Sequence, residues 1–156
     1  MPEVTKRACG SCTACCKSLE VTELNKPAGK WCAHCKIGNG CNIYFARPDS
    51  CIEFRCQWLN GLGDKKARPD RAKLILDHVD SELLGEMLQI WEVSEGALGN
   101  RSIKENTARV LGSGVWVAHI PLRGQRRLLV PKGKTVTEEI LDSIREEGIK
   151  LAELEP

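Results

Sequence analysis

The sequence predicts an α+β protein, a Cys-rich, irregular, metal-stapled N-terminal region packed on a small ββαββα antiparallel-sheet domain. Three observations lead there. All nine cysteines lie between positions 9 and 56, so the last 100 residues contain none. The same stretch has little to build a core from: Leu19, Val21, Leu24, Ile37, Ile43 and Ile52 are its only aliphatic side chains larger than alanine, joined by Trp31, Tyr44, Phe45 and Phe54. Beyond residue 70, by contrast, apolar residues recur with strand and helix periods. The chain thus divides into a cysteine-cluster region (1–60), a connection (61–70) and an α+β region packed against it (71–156).

Each element follows from its own residues. In the first region Gly10, Pro27, Gly29, Gly38, Gly40 and Pro48 interrupt any long periodicity, leaving irregular backbone with short helical turns. Ordering such a segment costs on the order of 1–2 kcal/mol of entropy per residue, so a thin core needs cross-links. Asn60 to Asp70 is polar and glycine-containing, an exposed connection. Lys73–Val79 and Glu86–Val93 have strand composition, and Asp80, Ser81, Glu82 and Gly85 between them predict a hairpin. Asn100–Leu111 sets Ile103, Thr107, Val110 and Leu111 at helical spacing, with Asn100 or Ser102 as N-cap and Gly112 as a stop. Gly114–Ile120 and Arg126–Val130 predict a second hairpin turning near residues 123–125. A helix over Thr137–Leu154, with Ile140, Leu141, Ile144, Ile149 and Leu151 on one face, closes the chain.

With 156 residues, 42% of them hydrophobic and 28% charged, the chain suits one compact domain or a small module with a modest second one, and excludes a large multidomain enzyme. No apolar run approaches the roughly 18–20 residues that cross a bilayer, and Met1–Gly10, with Pro2, Glu3 and Lys6, is unlike a secretory signal. A soluble, cytoplasmic protein is expected. Residues 1–68 carry 11 basic and 6 acidic side chains, whereas 69–156 carry 12 and 15. The basic excess invites a nucleic-acid reading, but eight metal-bound thiolates with two divalent cations would add about −4 and nearly cancel it. No strong nucleic-acid signal remains.

The chemistry resides in the cysteines. Cys9-Gly-Ser-Cys12-Thr-Ala-Cys15-Cys16 holds two overlapping C-x-x-C units, Cys32-Ala-His-Cys35 is a third, and Cys41, Cys51 and Cys56 follow. A spacing of three lets a tight turn bring two sulfurs to one tetrahedral ion about 2.3 Å away. Neighbouring helical residues diverge by about 100°, so Cys15 and Cys16 are expected to face different centres, which favours more than one ion or a multinuclear cluster. An odd count, a vicinal pair and no secretory signal argue against a disulfide framework.

These motifs resemble those of the YkgJ-like cysteine-cluster family, described as zinc- or iron-chelating domains. Cys9 to Cys16 fits its C-x-x-C-x-x-C-C signature. Gly40-Cys41-Asn-Ile-Tyr44-Phe-Ala-Arg47-Pro48-Asp-Ser-Cys51-Ile-Glu-Phe54-Arg-Cys56 looks like its second signature, a Cys-x-Ile-Tyr segment followed by Arg-Pro and two cysteines. The resemblance covers about residues 9–60 and implies bound zinc or an iron–sulfur cluster without implying a common reaction; bacterial flagellin lysine methylases are similar in this motif.

Soft thiolates suit Zn²⁺ or an iron–sulfur cluster and disfavour Mg²⁺, Ca²⁺ or Mn²⁺. Two four-coordinate zinc sites would use eight ligands, leaving one cysteine over or exchanged for His34; a [4Fe–4S] cluster would use four. His34, crowded between two cysteines, is expected beside the site rather than on the ion. Arg47 is expected to donate to thiolates or carbonyls around the site while Pro48 fixes the loop. Trp31, Tyr44, Phe45 and Trp58 could stack a base or substrate but are expected to form the small core.

His78 and His119 fall on predicted strands as satisfied core or interface histidines, with the His119 strand buried on both faces. The cluster Arg123, Arg126, Arg127, Lys132 and Lys134 reads as solvated. Neither G-x-x-x-x-G-K-[ST] nor G-x-G-x-x-G is present, Gly61-Leu-Gly63 and Gly112-Ser-Gly114 being too short to count, and no nucleophilic Cys/His/Asp set is evident. Catalysis is left open. The expectation is a metal-binding accessory module with structural metal, and a protein partner is conceivable. An iron–sulfur redox or protein-modifying activity and a metal chaperone or store are its alternatives.

Overall fold

The computed structural model describes residues 7–154. Residues 9–56 fold as short pieces: helix α1 (Ala14–Ser18), a two-residue-per-strand hairpin of β1 (Cys35–Lys36) and β2 (Gly40–Cys41), and helix α2 (Asp49–Glu53), with single 3₁₀ turns at Thr22–Leu24 and Tyr44–Ala46. Gly38, at φ 75°, makes the turn between β1 and β2 in a conformation that a side chain disfavours. The connection is exposed over residues 60–66, as expected, and becomes partly buried only over 67–70. A 3₁₀ turn at Lys65–Ala67 leads into helix α3 (Pro69–Ala72), whose Pro69 is buried, because proline at the first helical position is already set at a helical φ.

The rest is one five-stranded sheet in the order β3-β4-β5-β6-β7. Its strands are β3 (Leu74–Ser81), β4 (Gly85–Glu92), β5 (Trp116–Ile120), β6 (Arg127–Leu129) and β7 (Lys150–Ala152). Helix α4 (Arg101–Gly112) links β4 to β5, and α5 (Glu138–Glu146) links β6 to β7. Both expected hairpins form, β3–β4 and β5–β6. Asn100 caps α4, its side chain accepting from the Ser102 N–H at 3.0 Å.

Two expectations need correction. The sheet is mixed rather than antiparallel, since β4 pairs with β5 and β6 with β7 in parallel across the helical connections. The closing helix also stops early: Gly148, at φ 69°, ends the turn after α5, and Ile149 and Leu151 belong to the edge strand and its approach. Five apolar residues at near-helical spacing concealed a strand only three residues long.

Strand direction decides which face each helix covers. A crossover between parallel strands is right-handed, and β6 runs opposite to β4, so two successive crossovers progressing the same way land on opposite faces. On one face α4 packs Leu111 and Ile103 against Leu74, Ile90, Val117 and Leu129. On the other, α5 packs Ile140 and Ile144 against Trp116 and Leu128. The remainder of that second face, Ile75, Trp91 and Val93, receives the cysteine region through Ala14, Cys12, Cys15, Phe54, Cys56 and Trp58. As expected, β5 is buried on both sides.

Candidate metal centre

The turns that the C-x-x-C spacings predict are present. The Cys12 N–H donates to the Cys9 carbonyl at 2.8 Å, and the Cys35 N–H to the Cys32 carbonyl at 3.1 Å, each closing a tight loop between two thiols. Cys15 and Cys16 follow in the first turn of α1. The two motifs are joined by a bond from the Cys32 N–H to the Cys16 carbonyl at 2.9 Å. The β1–β2 ladder then sets Cys41 directly opposite Cys35. Cys51 lies within α2, which Glu23 fastens by accepting from the Ser50 N–H (3.1 Å) and hydroxyl (2.8 Å).

These connections gather the sulfurs. A cavity of about 400 Å³ is lined by Cys9, Cys12, Cys15, Cys16, Cys32, Cys41 and Cys51. An adjoining one of about 170 Å³ shares Cys9, Cys12, Cys15 and Cys51 and adds Cys56. Cys35, which lines neither, lies close enough to Cys16 for that thiol to raise its pKa. Contrary to the helical-wheel expectation, the Cys15 and Cys16 thiols also interact with each other, because α1 is only five residues long and begins immediately before them. All nine are free thiols.

Their protonation reflects this crowding. The Cys16 thiol is pushed up by its hydrogen bond to Cys15 and by burial. Burial raises Cys9, Cys12 and Cys51, and lifts Cys35 to about 12. These five thiols resist ionising unless positive charge enters among them. Lys26 supplies one such charge nearby. Its Nζ donates to the carbonyls of Lys17 and Pro27, each at 3.1 Å, and to that of Leu19, and burial lowers its pKa.

Among the described residues, no group of three or more Cys, His, Asp or Glu side chains stands in a geometry that would already hold a metal ion. Eight soft donors around adjoining cavities nevertheless fit zinc or iron–sulfur chemistry by donor type. His34 is half-buried beside Cys35, and its carbonyl accepts from the Asn42 N–H at 2.8 Å. Arg47 behaves as its position suggests, donating through Nε to the Tyr44 carbonyl (2.9 Å) while its guanidinium lies 4.0 Å from the Tyr44 ring centroid.

The aromatic residues depart from expectation. Phe54 and Trp58 pack toward the sheet, but Trp31, Tyr44 and Phe45 are exposed, Phe45 fully. His119 is the satisfied core histidine that was expected, its Nε2 3.3 Å from the Thr107 hydroxyl and its pKa lowered by burial to about 4. His78 instead faces solvent and pairs with Glu86 at 2.8 Å. The basic cluster is dispersed: Arg123 reaches toward Glu95, and Arg126 covers the Trp91 ring.

Sequence reasoning missed two residues on the cavity wall, Asp77 and Trp91. Register supplies the missing signal. Trp91 pairs directly with Ile75 across the β3–β4 ladder, and Asp77, two residues after Ile75, shares that face. Among the described residues, no helix is long and apolar enough to cross a membrane. No protein-family model, curated protein or solved structure matches this chain.

Proposed function

We propose that this chain is a thiolate metal-binding protein in which Cys9, Cys12, Cys15, Cys16, Cys32, Cys35, Cys41, Cys51 and Cys56 provide the ligand set, most simply for two zinc ions. The metal is structural, and the folded cluster serves as a binding or accessory module. One observation carries this reading: eight of the nine cysteines line two adjoining cavities, and the ninth lies close to one of the eight. The resemblance of residues 9–60 to the YkgJ-like cysteine-cluster family supports the same chemistry. A bound soft cation would compensate the cost of ionising crowded thiols and cross-link a region with few aliphatic residues of its own.

Anaerobic purification followed by elemental analysis for zinc, iron and acid-labile sulfide tests the proposal. Colourless protein with close to two zinc ions per chain is the expected result. Stoichiometric iron and sulfide, with absorption near 400 nm, would replace it with the iron–sulfur reading. Metal that exchanges with a competing chelator within minutes would favour a chaperone or store, and metal-free folded protein would overturn all three.

A further inference from the structure

Strand β3 is an outer edge of the large sheet, with β4 on one side only. Register fixes what its other side presents. Lys73 and Val93 stand opposite one another just beyond the β3–β4 ladder, and the Val93 N–H donates to the Lys73 carbonyl at 2.9 Å. Residues of an antiparallel pair alternate between bonding the neighbouring strand and facing away from it, so the odd-numbered residues of β3 bond to β4 and the even-numbered ones direct N–H and C=O outward. Leu76 agrees with this phase, its carbonyl accepting from the Gln57 N–H at 2.8 Å. Past that bond the edge is bare: among the described residues, no backbone group pairs with the outward groups of His78 and Asp80.

An open edge accepts another strand, and its side chains decide which one. His78 and Asp80 are exposed and project to the same face, whereas Val79 between them is partly buried and projects to the other. His78 Nε2 is engaged by Glu86 at 2.8 Å, and among the described residues its Nδ1 has no partner. These three residues are self-complementary. In an antiparallel pairing about a two-fold axis through Val79, His78 stands opposite Asp80 of the second copy and Asp80 opposite its His78, each pair joining two outward-facing residues. Val79 meets itself in the closer, non-hydrogen-bonded position between them.

Neighbouring registers lose this match. With the axis at His78, imidazole faces imidazole and Asp80 meets Leu76, whose carbonyl Gln57 already holds. With the axis at Asp80, two carboxylates face each other.

We propose that this edge pairs with the same edge of a second copy of the chain, antiparallel about Val79, joining the two large sheets into one. Each His78–Asp80 pair exchanges backbone hydrogen bonds in both directions and gives Nδ1 a carboxylate acceptor. The proposal goes beyond the metal reading and does not depend on it, because none of the three residues lines the thiol cavities.

So short an interface is weak, and it is read by sedimentation equilibrium from about 10 μM to about 1 mM protein, under anaerobic reducing conditions that exclude disulfide-linked species. The mass is expected to rise from monomer toward dimer over this range, with amide exchange at His78 and Asp80 slowing in step. His78→Asp sets carboxylate against carboxylate, and Asp80→Lys sets ammonium against imidazole, so each alone should weaken association by about tenfold or more. An equimolar mixture of the two variants should restore it. There the introduced Asp faces the introduced Lys, and the unaltered His78 faces the unaltered Asp80.

A wild type that stays monomeric throughout would overturn the proposal and leave the edge to a strand of some other protein. So would undiminished association of either variant alone, or a mixture no more associated than its components, because only the register about Val79 makes the two variants complementary. The metal content of the same samples judges the metal reading separately.

Discussion

The Cys32 N–H donates to the Cys16 carbonyl over 2.9 Å, and through this one bond the second C-x-x-C loop is laid beside the vicinal pair of the first. Cys16 lies close enough to both Cys15 and Cys35 for their thiols to act on its own. Cys16→Ala should consequently reduce bound metal more than Cys56→Ala, whose residue lines only the smaller cavity. Metal content of the two purified variants compares them directly, and equal losses would contradict the assignment.

Metal removal should separate the molecule's two halves. The sheet has its own cores beneath α4 and α5, whereas the cysteine region shares only the small cluster around Ile75 and Val93. Treatment with a strong chelator under reducing conditions is expected to abolish amide-exchange protection across residues 14–56 and to preserve it in β4 and β5. Protection retained throughout would mean that metal contributes little to folding.

His119 makes the sheet sensitive to acid. Its folded pKa of about 4 lies below the usual 6.5, so the neutral ring is favoured in the core and the unfolded chain takes up the proton first. The stability this contributes is present above pH 6.5 and lost as pH falls toward 4, roughly 3 kcal/mol in all. Below that the contribution is flat. Because thiol protonation also releases metal in acid, the diagnostic quantity is the difference in slope between wild type and His119→Gln, measured by denaturant unfolding at each pH. Identical slopes would count against a buried neutral His119.

Glu92 is a buried carboxylate satisfied entirely by backbone. Oε1 accepts from the N–H groups of Gly96 and Leu98, both at 3.1 Å, and Oε2 from that of Leu122 at 3.0 Å, so one side chain holds the loops at the ends of β4 and β5. Glu92→Gln turns an amide donor toward at least one of those donors. Stability should fall by about 2–3 kcal/mol, with faster exchange at Gly96, Leu98 and Leu122.

Lys26 is expected to be as intolerant. All three of its ammonium hydrogens have carbonyl acceptors, at Lys17 in the last turn of α1, at Leu19 just beyond it and at Pro27. Lys26→Met keeps the chain's bulk but strands those carbonyls, and should destabilise the cysteine region by about 2–3 kcal/mol, read as a lowered unfolding midpoint at constant metal content. A midpoint equal to wild type would show that water replaces the ammonium.

Strands and helices with strong local patterns were legible from the chain alone: the β3–β4 hairpin, α4 with its Asn100 cap, and the doubly buried β5 all follow from periodicity and capping chemistry. The parallel pairings were not, because an alternating apolar strand reads the same whichever way its neighbour runs. β7 was masked by Ile149 and Leu151 continuing the helical phase of α5 past Gly148. In the site, spacing alone disclosed the cysteines, since a thiol's chemistry needs only proximity in a turn. Asp77 and Trp91 escaped notice because register, rather than any local motif, carries them to the same cavity.

Every strand of the large sheet lies next to its neighbour in the chain, so it can zip in the order in which it leaves the ribosome. The cysteine region cannot follow that timetable, for it is made first yet its platform, Ile75 to Val93, is made afterwards. At typical elongation rates of about 5–20 residues per second its thiols wait roughly 2–17 s without a surface to settle on. During that interval the nascent thiols are most open to oxidation and to capture by soft cations.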